Sequence, residues 1–103
     1  MVPAELLNRF GKLFAFRVIG TGMTDALIDD GDVVVIRPAT RADNGEMVLA
    51  LFNEEAEEIL RRFYSEGDYV RLQPANSTMD PIYALTENIE VRGKVVGMIR
   101  NLG

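Results

Sequence analysis

The residue types that usually carry catalysis are sparse in this chain. Its 103 residues include no histidine and no cysteine, two serines (Ser65 and Ser77) and two lysines (Lys12 and Lys94). A Ser-His-Asp triad, a thiolate nucleophile, a thiolate or imidazole metal site and a disulfide framework are therefore excluded. Acid-base work would fall to carboxylates and lysine. Acidic residues cluster at Asp29-Asp30-Asp32 and Glu54-Glu55-Glu57-Glu58, which could form a carboxylate pair or a hard-cation site. Neither has the every-second-residue spacing of a calcium loop, so turn chemistry and a solvated face account for them better. Gly20-Thr21-Gly22 lacks both the third glycine of a dinucleotide fingerprint and the lysine of a phosphate loop. Ser65 sits in a glycine turn and Ser77 in a loop before Pro81, neither with a lysine nearby in sequence, so both read as turn residues. No cofactor and no metal are implied.

Charge narrows the field further. The net charge is −5, and Arg61-Arg62 is the only basic pair. Nucleic-acid affinity comes largely from neutralising phosphates, so direct contact with DNA or RNA is not expected. No apolar stretch approaches the roughly 20 residues of a membrane span, and the first residues lack a charged-then-apolar leader pattern. These features fit a soluble, cytoplasmic chain without membrane contact.

The elements that must position any site are short and β-rich. Residues 3–8 predict one helical turn, with Pro3 in a tolerated first-turn position. Residues 13–19 alternate, with Phe14, Phe16 and Val18 on an apolar face. Residues 24–28 predict a helical turn after Thr24. Asp29-Asp30-Gly31-Asp32 predicts a tight turn into a buried strand at Val33–Ile36, which Pro38 ends. Asp43-Asn44-Gly45 turns the chain into a strand at Met47–Phe52. Residues 57–64 could be helix, but Ile59, Arg61 and Phe63 alternate with Leu60, Arg62 and Tyr64, which favours a strand. Glu66-Gly67-Asp68 turns into Tyr69–Leu72, with Val70 and Leu72 on one face. Ile89–Ile99 closes the chain as a β-rich stretch, with Gly93 and Gly97 as bulge or bend sites. With no repeat and no linker, residues 1–103 predict a single all-β or mostly β domain. It should hold small, curled, barrel-like antiparallel sheets and one or two short helical turns.

One stretch is more specific. Residues 13–38 carry Gly20, Met23, Ile28, Asp30-Gly31-Asp32 and Val33-Val34-Val35-Ile36 in the register of an apolar strand, Gly-x-Ser-Met, isoleucine, Asp-Gly-Asp and a second apolar strand. The match continues through Asp43-Asn44-Gly45-Glu46, Arg62-Phe63-Tyr64, Leu72-Gln73-Pro74-Ala75-Asn76, Met79-Asp80-Pro81-Ile82 and Gly93-Lys94-Val95-Val96-Gly97-Met98-Ile99-Arg100. This resembles the self-cleaving carboxyl-terminal domain of LexA-type repressors, shared with UmuD-like proteins and lambda-type phage repressors and related in fold to signal peptidases.

The resemblance implies a Ser-Lys dyad, in which a desolvated lysine takes the proton of a serine nucleophile. Here the serine position is Gly22 and the lysine position is Arg61. Glycine has no oxygen to attack a carbonyl, and arginine stays protonated and cannot act as the base. Thr21 does not replace the serine if strand alternation turns its hydroxyl away from the cleft. The backbone N–H groups of Thr21 and Met23 could still form the family's oxyanion pocket. The family's scissile Ala-Gly or Cys-Gly bond does not occur in the sequence, which as written starts after that segment and after the family's DNA-binding domain; no self-cleavage is expected. Gly22 and Arg61 should share one cleft, with Arg61 swinging towards solvent or a carboxylate.

The resemblance also implies a homodimer formed through the last strand, Val95, Val96, Gly97, Met98, Ile99, Arg100 and Asn101, and the RecA filament as a further partner. The leading expectation is the dimerisation domain of a LexA-like transcriptional repressor of the DNA-damage (SOS) response, catalytically inactive as written. The alternatives are a Ser-Lys peptidase of the same fold carrying inactivating substitutions, and a β-domain that takes an extended peptide in the old cleft.

Overall fold

The computed structural model describes residues 12–53 and 56–99. The predicted turn at residues 3–8 lies outside them. Seven strands form one antiparallel sheet: β1 (Phe14–Arg17), β2 (Val33–Pro38), β3 (Met47–Phe52), β4 (Glu57–Glu66), β5 (Tyr69–Gln73), β6 (Ile82–Leu85) and β7 (Ile89–Ile99). Their order is β1-β2-β7-β3-β4-β5-β6. Single 3₁₀ turns occupy Thr24–Ala26 and Thr86–Asn88.

The apolar runs of β2 and β3 are unbroken because both faces of the sheet are covered. On one face Val34, Ile36, Leu49 and Leu60 pack under Val18, Met23 and Ile28 from the segment between β1 and β2. On the other, Val48 and Ala50 pack with Val70, Leu72 and Val91. Strand β3 thus sends Leu49 into one core and its two neighbours into the other, and all three are fully buried. A sheet this small covers two faces only by curling, as its turn spacing predicts.

Strand β7 is where the curl is built. Against β2 the register shifts between Val35 and Ile36, whose partners are Gly97 and Val95, leaving Val96 as the extra residue. Against β3 it shifts between Leu49 and Ala50, whose partners are Gly93 and Val91, leaving Arg92 extra. An extra residue bends a strand and increases its twist, and each bulge lies beside a glycine singled out in the sequence. Gly93 is required by contact: a Cβ there would stand 2.6 Å from the carbonyl oxygen of Arg37 and overlap Cγ2 of Ile36.

Two local expectations change, and one strand was not foreseen. Strand β1 stops at Arg17, because beyond it Val18 bonds the Asp-Gly-Asp turn: its N–H donates to Asp32 O and its carbonyl accepts from Gly31 N, both at 2.8 Å. Ser65 is the penultimate residue of β4, paired with Val70, and its N–H donates to Asn44 Oδ1 at 2.8 Å; it is not in the glycine turn. Strand β6 had no sequence prediction, since its four residues give too short an alternation and Tyr83 is mostly exposed.

Candidate functional site

The segment from Gly20 to Ala26 is held from both sides. Gly20, at φ +91°, turns the chain away from β1, and its N–H donates to Asp30 Oδ1 at 2.7 Å. From the far side, the loop after β5 clamps it. Ala75 N donates to Gly22 O at 2.8 Å, and Asp25 N donates to Ala75 O at 2.7 Å. The Asn76 amide donates to Thr21 O at 2.7 Å, and Asp25 accepts from Ser77 N at 3.1 Å. Met23 is almost fully buried, and its carbonyl accepts from Ala26 and Ile28. The acidic turn Asp29–Asp32 is thus structural scaffolding, with Asp32 Oδ2 also accepting from Asp29 N at 2.9 Å.

Thr21, Gly22 and Met23 lie in a bend between β1 and the first 3₁₀ turn. Strand alternation therefore does not set the direction of the Thr21 hydroxyl, which corrects the expectation above. The carbonyls of all three residues are engaged, whereas no hydrogen bond among the described residues uses the N–H of Gly22 or Met23.

Opposite this bend runs the first half of β4. A cleft of about 450 Å³ lies between them, lined by Phe16, Val18, Ile19, Met23, Ile59 and Leu60, with Gly22, Arg61 and the Ala56–Glu58 stretch. Gly22 and Arg61 meet directly. A Cβ built on Gly22 would overlap Nη1 of Arg61, with the guanidinium carbon at 2.5 Å and Nη2 at 2.7 Å. The arginine head fills the space that any side chain at position 22 would claim.

The expected outward swing of Arg61 does not occur. Its Nη1 donates to Leu60 O at 2.7 Å, which anchors the half-buried head against the bend. Burial pushes its pKa below the usual arginine value, and the negative charge of Glu57 partly offsets this. No carboxylate among the described residues lies within ion-pair distance of Arg61. Three other cations are in ion pairs: Arg71 with Glu66 at 2.7 Å, Arg92 with Glu58 and Glu90, and Lys94 with Glu46 at 3.0 Å. Arg62 points to the other side of the strand and donates to Gly45 O at 3.0 Å.

The predicted dimer strand is only partly an edge. From Ile89 to Lys94, β7 is hydrogen-bonded to β3, and from Gly93 to Ile99 to β2. Val95–Ile99 therefore have one side without a strand partner among the described residues, and Met98 there is 41% exposed. Arg100 and Asn101 lie outside the described residues.

Sequence reasoning missed the roles of Asn76, Asp25 and Asp30 in fixing the Gly22 bend. The signal was the Pro74-Ala75-Asn76-Ser77 run, where asparagine and serine side chains and N–H groups favour local turn bonds.

The fold and site define a class of two-faced antiparallel β domain whose β1–β2 connection faces a β4 arginine across a cleft. Residues 1–96 match the peptidase S24-like family, and the chain belongs to it. It is 52% identical to a LexA repressor of Herpetosiphon aurantiacus over its full length, covering 49% of that protein. It is 46% identical to a LexA repressor of Roseiflexus over 98% of the chain and 47% of the relative, and 40% identical to one of Thermosipho africanus over 96% and 49%. The chain thus spans about half the length of these relatives. Among the described residues no helix is long and apolar enough to cross a membrane.

Proposed function

We propose that this chain is the carboxyl-terminal dimerisation and self-cleavage-type domain of a LexA-like transcriptional repressor, cytoplasmic, and catalytically silent as written. The observation that carries the silence is the guanidinium of Arg61 seated over Gly22. In this reading Gly22 stands at the nucleophile position and Arg61 at the general-base position. The first supplies no oxygen. The second holds its proton at any physiological pH, even with its pKa lowered by burial. The N–H groups of Thr21 and Met23 retain the role of an oxyanion pocket that has no oxyanion to receive. Hydrolysis would require a hydroxyl at position 22 to attack the scissile carbonyl and a neutral amine at position 61 to accept the hydroxyl proton and pass it to the leaving nitrogen. A water deprotonated by the same amine would then cleave the acyl ester, and the proton would return to the hydroxyl oxygen.

Dimerisation in this reading uses the open side of Val95–Ile99, continued through Arg100 and Asn101. An unpaired strand side offers N–H and C=O groups to a two-fold mate. The RecA filament is a partner on resemblance alone, and direct nucleic-acid contact is disfavoured by the net charge of −5.

The decisive experiment converts both positions. The double variant G22S/R61K is incubated at alkaline pH with a peptide containing an Ala-Gly bond and followed by intact mass. Cleavage by the double variant, with none by the parent chain or either single variant, is the expected result. No cleavage by a folded double variant overturns the assignment of the two positions. Sedimentation showing only monomer at high concentration overturns the dimer.

A further inference from the structure

In the proposed reading, arginine in place of a lysine base makes the cleft a cationic site rather than a proton-transfer site. A neutral lysine suits proton transfer; a half-buried guanidinium suits an anion. Of the five N–H donors on the Arg61 head, one is used, by Leu60 O, and no carboxylate pairs with it among the described residues. The guanidinium fork matches a carboxylate, two N–H groups to two oxygens. Beside it Phe16, Val18, Met23, Ile59 and Leu60 make one apolar side of the cleft, with Ile19 at the lip 86% exposed, while Glu57 and Glu58 line the rest. The volume of about 450 Å³ is that of a ligand site.

We propose that this cleft binds the terminal carboxylate of a peptide that ends in apolar residues, with Arg61 gripping the carboxylate and the apolar walls taking the last side chains. The same place would hold an amidated end at least about tenfold more weakly, because the fork would be left facing an uncharged group. Of the two glutamates, Glu58 pairs with Arg92 at 3.7 Å, whereas Glu57 places its negative charge near Arg61, so Glu57 competes with the ligand. The proposal rests on the reading of this cleft as a retired peptide groove only for why a peptide fits. The two fail separately, since catalysis is read on a bond cut by G22S/R61K and binding on the unaltered chain.

The test is titration of the full chain with a hexapeptide ending in Val-Leu-Ala, as free acid and as amide, followed by backbone and Arg Nε NMR shifts. The free acid should shift Gly22, Met23, Ile59 and Arg61 saturably, and the amide should bind at least about tenfold more weakly. R61K should weaken the acid about tenfold by losing the fork, and E57Q should tighten it about two- to fivefold by removing the competing charge. Hexanoate binding as tightly as the peptide would assign the site to free carboxylates and overturn the peptide claim. Equal binding of acid and amide, unchanged binding in a folded R61K, or no saturable shifts at millimolar peptide each overturn the carboxylate site.

Discussion

If the Arg61 head occupies the space of a position-22 side chain, the two residues must be energetically coupled, and the coupling can be sized. Carbon atoms pack best at about 3.5–4.0 Å, whereas a Cβ on Gly22 would lie 2.5 Å from the guanidinium carbon. An overlap of about 1 Å at the far end of a flexible side chain is relieved by expelling the head. That forfeits the 2.7 Å bond to Leu60 O. Hydrogen bonds to charged groups contribute about 1.5–3 kcal/mol, and re-solvation of a half-exposed head trims this to about 1–2 kcal/mol. The backbone itself does not demand glycine, because Gly22 is not among the residues with positive φ. G22S should therefore cost about 1–2 kcal/mol beside Arg61 and close to nothing in the R61K background. In thermal terms the G22S penalty is about 4–15 °C for a domain of this size. G22A, which adds only the Cβ, should cost as much as G22S. The assay is urea unfolding of the parent, both single variants and the double variant, at one protein concentration so that association does not enter. Additivity within about 0.5 kcal/mol would show that the two positions do not touch in solution, and the steric account of the Gly22–Arg61 pair would fall with it.

Three further outcomes follow from the strands and turns around the site. Gly93→Ala should destabilise by about 1–3 kcal/mol, because the new methyl meets the Arg37 carbonyl and Ile36 rather than a yielding side-chain tip. A melting temperature equal to that of the parent would contradict the close crossing of β2 and β7. Glu46 accepts from Asp43 N at 2.6 Å and pairs with Lys94 at 3.0 Å. The Asp43 bond first and the lysine second hold its carboxyl below the usual carboxylate range. A depressed pKa means that its contribution to stability is present above the ordinary carboxylate value and is lost as the pH falls through the folded-state value. E46Q should flatten the acid limb of the unfolding-midpoint profile, and K94M should raise the Glu46 titration seen by carboxyl-carbon NMR. An unmoved titration in K94M would remove the lysine from the cause.

How much could be read in advance depended on whether a residue's role was local. The continuous apolar run at Val33–Ile36 predicted a buried strand and that at Met47–Phe52 a strand, and both strands are there, unbroken because a two-sided core leaves no polar position. The alternation through Ile59–Tyr64 outweighed the helix-favouring glutamates, and β4 is a strand. The glycines at 93 and 97 marked the bends of β7 because a missing side chain signals close approach wherever it falls in a strand. What failed was what depends on distant partners. The end of β1 is set by Val18 bonding a turn 13 or 14 residues later. Whether β7 is an edge depends on where β3 begins, which sequence spacing cannot reveal. The orientation of Arg61 failed for the same reason. The cost of burying a charge argues for an outward swing, but the rule assumes a full wall around the charge. Here the wall has a gap one side chain wide, at Gly22, and a carbonyl of the arginine's own strand within reach at Leu60. A glycine and an arginine 39 residues apart are unremarkable in the linear sequence; in the fold, each accounts for the other.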